Sequence, residues 1–265
     1  MEGTHEIPVQ RWTEAGVALG TDNLADESVI EVALNGERIS TLLATSCDLE
    51  DLARGYLASE YGVLEFASPP SFRIQNMPHA IHVDMLVQDP PVLQPRDGIV
   101  TSSCGACRVN DELQMVAVGS AVDEPSESVA IESFLEGLNA MRGQQSMFAM
   151  TGGSHAAGLM FDTTTQPLVR EDVGRHNAVD KVLGAMLREE GRKKPIALLI
   201  SGRCGWDIVA KTAVFGIPYI VSVGASTSLA AKTARQCNMT LVTFVDNGKA
   251  VMIGPVARRL SQSIE

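Results

Sequence analysis

The sequence predicts an α/β protein: a mixed, mainly parallel sheet with helices on its faces, preceded by a smaller N-terminal α+β part. Three observations carry this reading. Apolar runs of strand length at residues 196–200, 219–223 and 240–245 alternate with helix-length runs at 177–190, 207–215 and 228–237. That β-α-β-α-β order requires right-handed crossovers and a parallel core covered on both sides. The first hundred residues follow a different pattern, of hairpin, helix and strands, and close on a Pro-rich stretch. The composition, 45% hydrophobic and 20% charged, is that of a globular chain.

The elements follow in chain order. Residues 2–26 are polar and patternless and read as a loose arm or edge strand. Residues 29–34 and 39–43 flank Asn35-Gly36, a pair that tolerates the positive φ of a tight hairpin turn. Asp48 is placed to cap a helix over 49–60 whose Leu49, Leu52, Ala53, Tyr56 and Leu57 share a face. Strands are expected at 71–76 and 81–87. The stretch 89–98 (DPPVLQPRDG) admits no regular element and reads as a linker, which divides the chain into an N-terminal part, 1–100, and a core, 101–265. Residues 128–142 read as a helix. Residues 147–150 read as a strand running into Thr151-Gly152-Gly153-Ser154-His155, and a β-turn follows at 162–166. The helix at 177–190 carries Val179, Val182, Leu183, Met186 and Leu187 on one stripe. The all-apolar 196–200 is a central strand, and 250–253 is a last, antiparallel strand.

Charge and composition exclude several classes. The net charge is −11, with 16 acids and 5 bases in residues 1–100 and 16 of each after them. Residues 170–259 hold 14 bases and 7 acids, a local surplus able to serve an anionic ligand. The acidic molecule has no nucleic-acid motif, no apolar run long enough to span a membrane and no signal peptide at the start. The expected compartment is the cytoplasm, where thiols stay reduced.

In sheets of this kind ligands sit at the carboxyl ends of strands. Here those ends are Gly- and Ser-rich: Gly152, Gly153 and His155; Ser201 and Gly202; and Gly224 to Ser228, including Ser226. Small residues let backbone N–H groups approach a phosphate, or simply pack as tight turns. The run Arg170-Glu171-Asp172-Val173-Gly174-Arg175-His176-Asn177 precedes a helix. It reads either as a helix start suited to the macrodipole or as a ligand or catalytic turn built on Arg175 and His176.

Of the five cysteines, Cys104 and Cys107 form Cys104-Gly105-Ala106-Cys107. Zinc would need four ligands, but there is no second CxxC, so no metal site is assigned. A thioredoxin-like pair would open a helix in an early βαβ unit, whereas this one follows a Pro-rich loop. What remains is a reactive thiol pair on a loop. Arg108 beside it would favour thiolate, and such a thiol suits sulfur carriage as a persulfide.

These residues resemble the formate dehydrogenase accessory sulfurtransferase family, FdhD. The stretches that carry the likeness are the CGAC, Thr151-Gly152-Gly153-Ser154-His155-Ala156-Ala157, the run from Glu171 to Lys181 (EDVGRHNAVDK), and Cys237-Asn238-Met239-Thr240-Leu241. The likeness extends from about residue 28 to 255. It implies a cytidine-deaminase-like core without the deaminase zinc, and a homodimer. It further implies a persulfide-forming sulfurtransferase that takes sulfur from a cysteine desulfurase. The acceptor is the molybdenum (or tungsten) bis-guanine-dinucleotide cofactor, bound as substrate, which formate dehydrogenase requires; guanine nucleotide is expected to occupy the same site. The persulfide maps to Cys104, with Cys107 as its partner. The family's cofactor-binding segment maps to Phe244, Val245, Asp246, Asn247, Gly248 and Lys249. Asp246 stands where the family has an arginine, which weakens the charge facing a pyrophosphate. The alternative is a non-enzymatic carrier or chaperone that binds the molybdenum cofactor and hands it on.

Overall fold

The computed structural model describes residues 2–93, 99–100, 121–125, 128–188, 191, 193–246, 249–256 and 260–261. Cys104, Cys107, Arg108, Asn247 and Gly248 lie outside the described residues, as does part of the Pro-rich stretch. The polar start of the chain forms a hairpin of two ten-residue strands, β1 (Thr4–Thr13) and β2 (Gly16–Ala25), in continuous register from Thr4–Ala25 to Thr13–Gly16. The loose arm is absent, and of the two readings the edge strand holds, since each strand of this two-stranded sheet is an edge. The strands expected from Asn35-Gly36 are β3 (Ser28–Leu34) and β4 (Glu37–Ala44), and both turn residues take positive φ, 50° and 84°.

Helix α1 (Leu49–Tyr61) follows with Asp48 at its N-cap position, where the backbone carbonyl accepts Leu52 N at 2.9 Å but the side chain does not cap. The Asp48 φ is 51°, and its carboxylate instead lies 3.5 Å from Arg170 Nε. Strands β5 (Ser71–Asn76), β6 (Ile81–Leu86) and β7 (Ile99–Val100) complete a sheet of order β5-β6-β3-β4-β7. One face of α1, with Leu52, Ala53 and Tyr56, covers Ile30, Val32, Leu42 and Val83 of that sheet.

The core begins with β8 (Val129–Ala130), α2 (Ile131–Gly143) and α3 (Ser146–Thr151). Residues 147–150 are therefore helix, contrary to the strand expected. The Glu171 carboxylate explains this, accepting Met147 N at 2.8 Å and Phe148 N at 2.9 Å at the start of the turn. Gly152 closes the turn at φ 65°. Two unanticipated strands follow, β9 (His155–Met160) and β10 (Leu168–Asp172), then α4 (Arg175–Met186), β11 (Ala197–Ile200) and α5 (Trp206–Val214). Last come β12 (Tyr219–Ser222), α6 (Ser228–Gln236), β13 (Thr240–Asp246), β14 (Lys249–Ile253) and β15 (Leu260–Ser261), which pairs with β8.

The core sheet runs β10-β9-β11-β12-β13-β14. It is mixed, but not mainly parallel: β11–β12 and β12–β13 are parallel, while β10–β9, β9–β11 and β13–β14 are antiparallel. Alternation along the strands sorts the core. Leu198, Ile200, Ile220 and Leu241 face α4, α5 and α6, while Leu199, Tyr219, Val221 and Val242 face Phe134, Leu138 and Met141 of α2.

The other stripe of α1 (Asp51, Gly55, Ser59) lies against α4. A Cβ on Gly55 would stand 1.7 Å from Asp180 O, and one on Gly184 would stand 1.9 Å from Asp51 O. Only glycine admits this approach of two backbones. Beneath it, Lys211 reaches Asp180 at 2.8 Å, Glu60 at 2.6 Å and Ser59 at 2.9 Å. Burial pushes the Lys211 ammonium down, but the two facing carboxylates outweigh it and hold its pKa above the usual lysine range.

Candidate functional site

A cleft of about 410 Å³ opens at the carboxyl edge of the parallel strands, on the α2 side. Ser201 stands just past β11, Val223 just past β12, and Val245 near the end of β13. Gly152, Gly153 and Ser154 bring the turn after α3 to the opposite wall, and Leu138, Asn139 and Arg142 of α2 close it. Its size falls within the roughly 300–1,000 Å³ of small-molecule sites.

Of the residues anticipated for ligand binding, Gly152, Gly153, His155, Ser201 and Val245 line this cleft. Ser201 is held by Ala156: its Oγ accepts Ala156 N at 2.9 Å and its own N donates to Ala156 O at 3.0 Å. His155 Nδ1 lies 3.5 Å from that Oγ. Burial lowers the His155 pKa, and the neighbouring Arg175 and His176 add to the shift. Gly202 stands behind His155; a Cβ there would lie 3.4 Å from His155 Nδ1 and 3.8 Å from Arg175 Cδ. Arg175 and His176 are therefore one layer behind the lining. His176 pairs with Asp207. Burial pushes the Asp207 carboxyl up, yet His176, with Ile208 N and Arg175, outweighs it and holds the carboxyl below the usual range. Arg175 Nε and His176 Nδ1 are buried with no hydrogen-bond partner among the described residues.

The remaining anticipated residues are used differently. Ser226 forms a parallel bridge with Cys204, supported by Cys204 N to Ala225 O at 3.0 Å and Thr227 N to Cys204 O at 3.1 Å. The two Gly/Ser strand ends thus pack on each other. Gly224 is fixed there because a Cβ would meet Gly202 O at 2.9 Å. Phe244 is exposed at φ 54° and Lys249 is exposed at the start of β14; neither lines the cleft.

The polar run before α4 is mainly structural. Asp172 Oδ2 accepts Thr45 N at 3.0 Å, Thr45 Oγ1 at 2.7 Å and Lys181 Nζ at 2.7 Å; Oδ1 accepts Gly174 N at 2.8 Å and Asn177 Nδ2 at 3.0 Å. Asn177 Nδ2 also donates to Leu43 O at 2.7 Å. The run therefore fastens the end of β4 to the core. Sequence reasoning did not single out Asn139, Arg142 and Gln145, which supply polar groups to the cleft. Asn139 and Arg142 lie one turn apart along a face of α2, a signal hidden because the cleft itself depends on the turn of α3.

The stretch 25–256 matches the model of the FdhD/NarQ family. The chain belongs to that family. Its relatives include proteins named sulfur carrier protein FdhD. That of Nocardia farcinica is 34% identical over 263 residues, covering 95% of this chain and 93% of the relative. That of Bordetella parapertussis is 32% identical, covering 88% and 85%, and that of Picrophilus torridus 35%, covering 85% and 87%. Among solved structures, a chain from Desulfotalea psychrophila described as a formate dehydrogenase accessory protein superposes with a TM-score of 0.72. It is 22% identical, with 97% of this chain and 99% of that one covered, a likeness of fold. Among the described residues no helix is long and apolar enough to cross a membrane.

Proposed function

We propose that this member of the FdhD/NarQ family is a cytoplasmic, homodimeric sulfur carrier serving formate dehydrogenase, with Cys104 as the carrying thiol. The observation behind the reading is that one chain joins the Cys104-Gly105-Ala106-Cys107 pair to relatives named sulfur carriers over most of its length. The Cys104 thiolate attacks the sulfane sulfur of a cysteine desulfurase persulfide. A Cys104 S–S bond forms, the donor S–S bond breaks, and the desulfurase leaves as thiolate. The acceptor proposed for that sulfur is the molybdenum or tungsten bis-guanine-dinucleotide cofactor.

The cleft is the place proposed for one arm of that substrate. Gly152 and Gly153 leave room at the wall, Arg142 brings positive charge to the rim, and Asn139, Gln145 and Ser201 offer hydrogen bonds. The whole cofactor, with two pterin and two guanosine arms, exceeds a cleft of about 410 Å³, so the remainder extends past the rim. His155, its pKa lowered, meets the substrate as a neutral imidazole able to donate or accept one hydrogen bond.

The test is formate dehydrogenase activity in cells lacking the native gene and supplied with wild type or Cys104→Ala. Loss of activity, with the variant present at wild-type levels, supports the reading; retained activity removes it. The cleft also motivates the second reading, a cofactor-binding chaperone, which expects guanine-nucleotide binding and activity indifferent to Cys104→Ala.

A further inference from the structure

The β1–β2 hairpin overhangs the body. Its root is held on α3: Thr4 Oγ1 lies 3.9 Å from Met150 Sδ, and a Cβ on Gly153 would stand 3.4 Å from Ala25 Cβ. From there the ladder runs out to the Thr13–Gly16 pair. A two-stranded hairpin is marginal in water unless a third strand or a packed face supports it.

The register sorts the faces of this hairpin. Trp12 lies opposite Val17, Gln10 opposite Leu19 and Pro8 opposite Thr21. Alternation puts these six on the face of Thr4 and Ala25, which rests on α3 at the root. Beyond the root that face is bare: Trp12, Val17 and Leu19 are 76%, 63% and 85% exposed. Arg11 and Asp22 lie on the other face, where Arg11 Nη2 stands 3.3 Å from Asp22 Oδ1. On the bare face the one charged strand residue is Glu6, close to the root.

The three apolar side chains bare roughly 400 Å², a patch of the size that marks an interaction site. A charged partner finds nothing there to pair with. A second copy finds a match, because a two-fold axis sets the uncharged patch against itself. With the exposed Pro8, Gln10 and Thr21 around it, two copies together bury about 1,200 Å², the lower end for a specific interface.

We propose that the outer face of this hairpin seats a second copy of the chain about a two-fold axis, Trp12, Val17 and Leu19 of each copy covering those of the other. The inference rests on the homodimeric reading above and names its surface. That surface borders the cleft, because α3 carries the hairpin root at Met150 and lines the cleft with Phe148.

The test is analytical ultracentrifugation of the full chain from about 1 to 100 µM, with Trp12 emission read as the difference between wild type and Trp12→Phe. The expected result is a dimer whose Trp12 is shielded from acrylamide, its emission moving to the red as dilution separates the copies. Leu19→Asp sets two carboxylates across the axis and raises the dimer dissociation constant about 100-fold, the scale of like charges in contact. Leu19→Met leaves it within about 3-fold. Leu19 is solvent-exposed in the single chain, so Leu19→Asp keeps the wild-type circular dichroism spectrum. Wild type that stays monomeric at about 100 µM overturns both the surface and the homodimeric reading. A dimer that keeps its dissociation constant in Leu19→Asp, or whose Trp12 stays open to acrylamide, overturns the surface alone.

Discussion

The Asp172 carboxylate, fully buried, gathers hydrogen bonds from Thr45, Gly174, Asn177 and Lys181, and so joins three segments of chain at one point. Replacing it with alanine strands the buried Lys181 ammonium. Asp172→Ala therefore loses about 3–5 kcal/mol, read as a lower midpoint in urea unfolding; an unchanged midpoint contradicts the role given to this run. His155 carries a pH dependence. Its folded pKa is depressed, so the unfolded chain binds the proton more readily. The contribution is present above the unfolded value of about 6.5 and is lost as pH falls through the lowered folded value. NMR titration of the ring is expected to show a midpoint below that of a free histidine. Cys204 illustrates an inert thiol: burial, with Asp207 adding to it, pushes its pKa up to about 12. Iodoacetamide at pH 8 is expected to leave Cys204 unmodified in the folded protein and to label it once unfolded.

Among the elements, the α1–α4 pair depends most on residue size. Gly184→Ala would drive a methyl group into the Asp51 carbonyl. The helices must part, at a cost of about 3 kcal/mol or more, measured as a drop in Tm. The elements also mark what was readable from sequence. Residues 196–253 were legible because apolar strands and amphipathic helices alternate there with ordinary lengths, and Asn35-Gly36 fixed its hairpin by backbone chemistry alone. The run 147–150 was misread because a short apolar segment has no period to separate strand from helix. What decides it is Glu171, distant in sequence. Strands β9 and β10 were missed for a related reason. Gly-Ala-rich 155–160 has weak strand propensity, and the polar end of β10 reads as a turn until Asp172 and Glu171 are seen to bond inward. The β1–β2 hairpin hid behind polar residues because it rests on the body only near its base, and it leaves Trp12, Val17 and Leu19 exposed.

At the scale of the molecule, the basic surplus of residues 170–259 divides in two. Lys181 and Lys211 are buried against carboxylates, and Arg170 and Arg188 bind Asp51. Arg203, Lys232, Arg235 and Lys249 remain on the surface. Net charge thus described both internal ties and outward charge, and the sequence could not separate them. The cleft-lining residues were legible where sheet topology dictates position, as at Ser201 and His155, and not where they lie on α2. The sulfur chemistry was legible only as the CxxC, whose residues lie outside those described. The central claim therefore rests on that pair, and intact-protein mass spectrometry tests it most directly. Wild type, Cys104→Ala and Cys107→Ala are each incubated with a cysteine desulfurase and cysteine. The account predicts added sulfur on wild type that is absent from Cys104→Ala; sulfur retained by Cys104→Ala, or absent from wild type, would contradict it.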